Sequence, residues 1–202
     1  MMHVKEWDER YAASDLVWSA GPNQFVESIC RGLPPGRMID LAAGEGRNAV
    51  WFAEQGWDAT AVDFSAVALA KAEGMAAERS VEITTIVADL LEFEPGIDAY
   101  DLVLIAYLQI GPEERALVLE RATAAVAPGG RLLVVGHDVT NIEHGYGGPS
   151  DPGVLNSPDE IVAGLGEDFI VTRAEVADRV VTTDEGERVA KDTVVLAQRS
   201  GA

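Results

Sequence analysis

The chain has 202 residues, 48% of them hydrophobic and 24% charged; that suits one α/β domain with a sizeable core, and no apolar run approaches the roughly 20 residues of a membrane span. Its 34 acidic residues against 15 basic ones give a formal charge of -19, spread along the chain, a field that repels nucleic-acid phosphates and anionic membranes and otherwise reads as solubility or salt adaptation. The single cysteine, Cys30, excludes an internal disulfide and any multi-cysteine metal site, and Met1 to Asp8 turns polar at once, unlike a secretory leader, so a cytoplasmic location is expected.

From Trp7 to Trp18 two tryptophans and Tyr11 stand in a polar setting, stopped by Gly21-Pro22-Asn23. Such a stretch either staples itself to the domain or forms a lid over a ligand. A helix then starts at Pro22 or Asn23 and runs through Phe25, Val26 and Ile29 to about Gly32. From Arg37 onward apolar strands alternate with amphipathic helices, the pattern of βαβ units and a parallel sheet. Strands are expected at 38–41, 57–62, 81–87, 101–106 and 131–135. Helices are expected at 49–55, from the cap Ser65 to about Arg79, from Pro112 to Val126, and briefly after Ser157. The long segment from His137 to Pro152 reads as a loop, and long loops in compact domains are disproportionately functional. Two last strands, 170–177 and 193–198, are joined through Asp184-Glu185-Gly186.

The chemistry gathers around Met38-Ile39-Asp40-Leu41-Ala42-Ala43-Gly44-Glu45-Gly46-Arg47-Asn48-Ala49, which reads as strand, tight turn and helix. Gly44 and Gly46 permit positive φ and close approach of a ligand, and the helix start offers unpaired N–H groups. The turn also satisfies G-x-G-x-x-G/A, so by itself it could bind a nicotinamide or flavin dinucleotide. Asp40 argues otherwise, because a carboxylate just before the loop repels a pyrophosphate and suits an ammonium or sulfonium ligand. Asp63 ends the second strand, where an acid can bind both ribose hydroxyls, and Asp89 ends the third, where a carboxylate can receive an adenine amino group beside a backbone N–H such as that of Leu90.

Taken together, Asp40 to Asn48, Asp63 after Ala59-Thr60-Ala61-Val62, Ala88-Asp89, Tyr100-Asp101-Leu102-Val103 and Ala127-Pro128-Gly129-Gly130 resemble the class I S-adenosylmethionine-dependent methyltransferases. Gly46-Arg47-Asn48 and the Trp7…Tyr11…Trp18…Pro22-Asn23 leader resemble the tellurite-resistance and thiopurine methyltransferase branch of that class. The family usually has Gly-Cys where this chain has Ala42-Ala43. The resemblance implies one Rossmann-like, doubly wound domain over 1–202, with a seven-stranded, mostly parallel sheet, an antiparallel last strand, and residues 1–35 as a helical cap over the cofactor. It implies S-adenosylmethionine as cofactor, S-adenosylhomocysteine as product and a small-molecule acceptor. Asp40 and Gly44 would lie near the methionine part, Asp63 on the ribose, Phe64 and Leu90 against the adenine and Ala106 at the floor. Ala42, Gly46, Asn48, Ser65 and the leader's Trp18 would complete the cofactor site.

Methyl transfer needs alignment and exclusion of water more than acid–base help, so a general base is optional. His137 and His144 are the available bases, with His137 the catalytic candidate, and either also reads as an ordinary loop histidine. Tyr107, Gln109, His144 and Tyr146 are candidate acceptor contacts; no metal site is expected, since His137, Asp138 and His144 lack a ligand spacing. The competing readings are a short NAD(P)-dependent oxidoreductase and a non-catalytic cofactor-binding protein.

Overall fold

The computed structural model describes residues 4–14, 16–17 and 21–201. The described elements run α1 (Val4–Ala12), α2 (Gln24–Cys30), β1 (Arg37–Leu41), α3 (Arg47–Glu54), β2 (Asp58–Asp63), α4 (Ala66–Glu78), β3 (Thr84–Val87) and β4 (Tyr100–Ala106). They continue with α5 (Pro112–Ala125), β5 (Val126–His137), α6 (Asn141–His144), a 3-10 turn at Pro152–Val154, α7 (Pro158–Ala163), β6 (Phe169–Thr183) and β7 (Gly186–Arg199). The strands form one seven-stranded sheet in the order β3-β2-β1-β4-β5-β7-β6. Pairs among β1 to β5 are parallel, and β7 runs antiparallel to both β5 and β6.

Strand alternation sends successive side chains to opposite faces, and both faces are apolar here. Met38, Leu102, Leu104 and Leu133 pack on one face with Phe25 and Val26 of α2 and Trp51 and Phe52 of α3. Ile39, Leu41, Val103 and Val134 pack on the other with Val118 and Leu119 of α5 and Ile161 of α7. Where the order turns outward, between β1 and β4, the strand ends leave the crevice in which doubly wound sheets hold ligands. The glycine turn follows β1 at that crevice, and Tyr107 follows β4.

Several expected boundaries move for identifiable reasons. The third strand starts at Thr84 rather than Val81, because Val81 and Ile83 pack against Val50, Met75 and Ala76 before ladder pairing with β2 begins. The fifth strand extends through His137, which pairs with Asp192, so this histidine ends the strand instead of following it. The last two strands are far longer than expected and meet at the two-residue turn Asp184-Glu185 between the paired Thr183 and Gly186. β-Branched residues at Val180, Val181, Thr182 and Thr183 carry the extension, which places Arg179 and Asp192 on strands rather than in a loop.

Candidate functional site

Asp40 sits at the crevice with no exposed surface, and neither of its carboxylate oxygens has a hydrogen-bond partner. Burial pushes its pKa up to about 7, and the nearby Asn48 side chain and Arg47 guanidinium only partly counter that. Arg47 is itself pulled below the ordinary guanidinium value by burial, although Tyr107 and Asp40 favour its charge. A buried carboxylate without donors is costly, and a proton or a neighbouring cation relieves that cost.

The turn after it is held by its own backbone and by the leader. Ala42 takes φ 65. Asp63 Oδ2 accepts from Gly44 N at 2.8 Å, and Oδ1 accepts from Ser65 N at 2.9 Å. Burial raises the Asp63 pKa despite those two N–H donors, and Asp8 of α1 adds to the rise. Ser65 caps α4 by accepting from Ala68 N, and its hydroxyl donates to Asp8. A side chain at Gly44 would meet the Tyr11 hydroxyl at 2.9 Å, and one at Gly46 would strike Ala72 of α4 at 2.4 Å. Gly44 therefore admits the leader's phenol against the turn, and Gly46 admits α4. Lys71 ties these parts together by donating to the carbonyls of Tyr11 and Ser14 and, at 3.0 Å, to buried Glu45. Glu45 also accepts from Val17 N.

Across the crevice lies a second polar group. Tyr107, at φ 58, donates to Asp192 Oδ2 at 2.6 Å and accepts from Asn23 Nδ2 at 3.0 Å. Asn23 caps α2 through its side chain, and its N–H donates to Asn48 Oδ1 at 2.9 Å, which links this group to the turn's helix. Arg179 Nε also donates to Asp192 Oδ2 at 2.6 Å, and its guanidinium lies 5.6 Å from the centre of the Tyr107 ring. The His137 and Tyr107 rings are 4.9 Å apart, and His137 Nδ1 is 3.4 Å from Asp192 Oδ1. Burial alone would raise the Asp192 pKa, but His137, Arg179 and Tyr107 together bring it below the ordinary carboxylate value. Tyr107 moves far upward, first by burial and then by the Asp192 charge, so its proton stays on the phenol.

Residues 38–130 match the family described as "Methyltransferase domain". That match runs from β1 through the glycine turn to the start of the fifth strand and covers just under half of the chain. A methyltransferase of 2-heptyl-1-hydroxyquinolin-4(1H)-one from Mycobacteroides abscessus is 28% identical over 137 residues, which cover 65% of this chain and 60% of that protein's length. Among solved structures, one reported for conversion of a disulfide bond into a thioacetal group in echinomycin biosynthesis has a TM-score of 0.76 at 18% identity, covering 98% of this chain and 92% of that one. TehB from Haemophilus influenzae gives 0.73 at 17% identity, covering 97% and 66%. Magnesium protoporphyrin IX methyltransferase from Synechocystis, solved with S-adenosylhomocysteine, gives 0.68 at 19% identity, covering 88% and 82%. These likenesses establish the seven-stranded fold.

The fold gathers the expected residues into two groups. Gly44, Asp63 and Ser65 share the turn with the leader; Tyr107 and His137 belong to the Asp192 group, Asn48 is linked to it through Asn23, and Asp40 stands unpartnered at the head of the turn. Ala106 is half-buried against the core at the end of β4, and Phe64 and Leu90 are half-buried beside the ends of β2 and β3. Asp89 is exposed and spends Oδ1 on Leu91 N at 2.9 Å. Gln109 is half-buried past Tyr107; His144 is exposed beside Glu143, and Tyr146 is 45% exposed. Trp18 lies outside the described residues. No cluster of His, Cys, Asp or Glu that could hold a metal occurs among the described residues, and none of their helices is long and apolar enough to cross a membrane.

Sequence reading missed Tyr11 as the cover of Gly44, Lys71 and Glu45 as the leader's anchor, and Arg179 and Asp192 altogether. The Asp192 signal was present. Ala190, Asp192, Val194 and Leu196 share one strand face by their spacing of two, so an acid interrupts an otherwise apolar stripe.

Proposed function

We propose that this chain is an S-adenosylmethionine-dependent methyltransferase that moves a methyl group to a small-molecule acceptor by in-line displacement, in the cytoplasm. The observation that carries the reading is Asp40: a fully buried carboxylate with both oxygens unpartnered, at the head of a glycine turn. A pyrophosphate would be repelled there, whereas the ammonium of a methionine moiety supplies the missing donors. S-adenosylmethionine, when bound, supplies an activated methyl group. Asp40 would take its ammonium, Gly44, Gly46 and Ala42 would give it backbone access, and Asp63 and Asp89 would serve ribose and adenine. Phe64 and Leu90 would flank the base, and Ser65, Asn48, Ala106 and Trp18 would complete the enclosure. Residues 1–35 act as a cap and 36–202 as the core, a division supported by α1, whose Tyr11 covers Gly44. The leader's motif and the TehB likeness support a place near the tellurite-resistance and thiopurine branch. The quinolone relative supports a small organic acceptor.

Calorimetric titration with S-adenosylmethionine, S-adenosylhomocysteine and NADH tests the reading. The first two bind and NADH does not; binding of NADH alone would sink it. Asp63→Ala weakens S-adenosylmethionine binding by roughly 1.5–3 kcal/mol through lost charge-assisted hydrogen bonds. An unchanged dissociation constant in a folded variant removes Asp63 from the site.

A further inference from the structure

The strongest unassigned feature is Asp192, a carboxylate with no exposed surface at the rim of the crevice. Resting on the methyltransferase reading, we propose that Asp192 is a positioning residue that holds His137 as a general base, so that the acceptor is a hydroxyl compound, a phenol or N-hydroxyl, that must lose a proton as it is methylated.

The arrangement follows from the ladder. His137 and Asp192 are directly opposite in the antiparallel pair of β5 and β7, and Ala177 lies opposite Asp192 on the other side, in β6. Cross-strand partners stand close enough for side-chain contact whatever the surrounding loops do. Arg179, two residues beyond Ala177, reaches diagonally past that small side chain to Asp192. Asp192 Oδ2 accepts from Tyr107 and Arg179 Nε, each at 2.6 Å, while Oδ1, which takes only a long 3.5 Å contact from Arg179 Nη2, is turned toward His137 Nδ1 at 3.4 Å. That nitrogen is buried and has no hydrogen bond of its own. A shift of about half an ångström closes the pair to normal hydrogen-bond length, a change of the kind catalytic contacts undergo on ligand binding.

Two features keep the imidazole in place. The Tyr107 ring packs against one side of it, and a side chain at Gly148 would come within 3.0 Å of the ring, so the loop backbone closes on it. Tyr107 itself adopts a backbone conformation that bulky residues rarely take, as residues at functional sites often do. The charged and titratable groups facing this pocket are Asp192 from β7, Arg179 from β6, Tyr107 after β4 and Arg47 from α3, which is electrostatically coupled to both Tyr107 and Arg179. Neighbouring Asp138 is spent on Thr193 and Thr140.

With Nδ1–H directed at Asp192, Nε2 carries the free lone pair. The acceptor's O–H proton passes to Nε2 while an oxygen electron pair forms the O–CH3 bond. The S–CH3 bond breaks with its pair left on sulfur, and the imidazolium, steadied by Asp192, returns its proton to solvent. Tyr107 cannot take that proton role, because its own proton is held as a donor to Asp192.

The first test needs no turnover: nitrogen-15 correlation spectra of the wild-type imidazole at neutral pH. The expected result is the Nδ1–H tautomer of His137 as the main species, with a mixture in Asp192→Asn; a dominant Nε2–H form in the wild type overturns the proposal, even if no acceptor is ever methylated. The second compares a phenol with a thiophenol already ionised at the assay pH. Asp192→Asn and His137→Gln should each lose at least tenfold more on the phenol than on the thiophenol, and the phenol rate should recover as pH rises through the phenol's own ionisation. Equal losses on both substrates in folded variants refute the base. Absence of transfer to either substrate by wild type that binds S-adenosylmethionine counts against the methyltransferase reading instead.

Discussion

Tyr107 donates a 2.6 Å hydrogen bond to Asp192 across 85 positions of sequence, and the same phenol oxygen accepts from Asn23. One hydroxyl thus joins the cap of α2, the end of β4 and the buried part of β7. It also makes the two sides of the crevice one network, since Asn23 in turn donates to Asn48.

Tyr107→Phe removes both bonds and leaves the Asn23 amide and the Asp192 carboxylate each short of a partner. The expected loss is roughly 1.5–3 kcal/mol of unfolding free energy, as for hydrogen bonds to charged groups. The Asp192 pKa is depressed in the folded protein, so its stabilising contribution is present above the unfolded value near 3.8 and is lost as pH falls through the lower folded value. The variant's deficit should therefore be full at neutral pH and shrink in acid. Urea unfolding at pH 7 and in the acid limb checks this; a deficit under about 0.5 kcal/mol at pH 7 shows the bond adds nothing.

Asp40 predicts the opposite pH trend. Its folded pKa is raised from 3.8 to about 7, so the folded chain binds the extra proton between those values. Unfolding free energy should fall as pH rises from about 4 to about 7 and level off above, by an amount on the order of a few kcal/mol, with Asp63 contributing in the same direction. Asp40→Asn should flatten that decline and so be more stable than the wild type at pH 8. On the proposed function it also binds S-adenosylmethionine more weakly. Denaturant midpoints at pH 5 and pH 8 decide the first point, and a steep decline retained in the variant would assign the trend to other groups.

The glycine turn predicts opposite signs four residues apart. Ala42 sits at φ 65, a left-handed conformation costing an L-residue roughly 1–2 kcal/mol, against a smaller entropic cost for glycine. Ala42→Gly should therefore stabilise by about 0.5–1 kcal/mol. Gly46→Ala adds a methyl 2.4 Å from the Ala72 Cβ at φ 72 and should destabilise by roughly 2–4 kcal/mol. Thermal melts of both variants check the pair, and a stabilised Gly46→Ala would mean that α4 yields to the added methyl.

Much of this architecture was legible because burial on both faces writes β1, β2 and β4 as short apolar runs, and because Ser65 and Pro112 mark helix starts by simple capping and ring chemistry. The hairpin was less legible. Val176, Val180 and Val189 are exposed, so β6 and the outer part of β7 carry no clean apolar alternation, and the strand pattern breaks off at Ala177 and resumes at Thr193. That misreading hid Arg179 and Asp192, whose meeting depends on the hairpin register. The Lys71–Glu45 pair was hidden for another reason: a lysine on a surface helix and a glutamate between two glycines give no local sign that they meet across 26 positions.

Lys71 yields the last prediction. Its ammonium is the joint between α4, the turn and the leader, and Glu45 beneath it is buried. Replacing it by Met keeps the stem's apolar packing but leaves the Tyr11 and Ser14 carbonyls and one buried carboxylate oxygen without their cation. Lys71 meets the leader at two carbonyls, beside the Asp8–Ser65 and Val17–Glu45 bonds and the Tyr11 contact, so without it the leader should open locally before the core does. A drop of about 2–3 kcal/mol in local opening free energy corresponds to roughly 30- to 150-fold faster cleavage in the leader when opening is fast relative to proteolysis. Limited chymotrypsin digestion followed by mass spectrometry would show it as early cuts at Trp7 and Tyr11. If leader and core fragments appear together at the same increased rate, Lys71 supports the whole domain and the leader is not a separable cap.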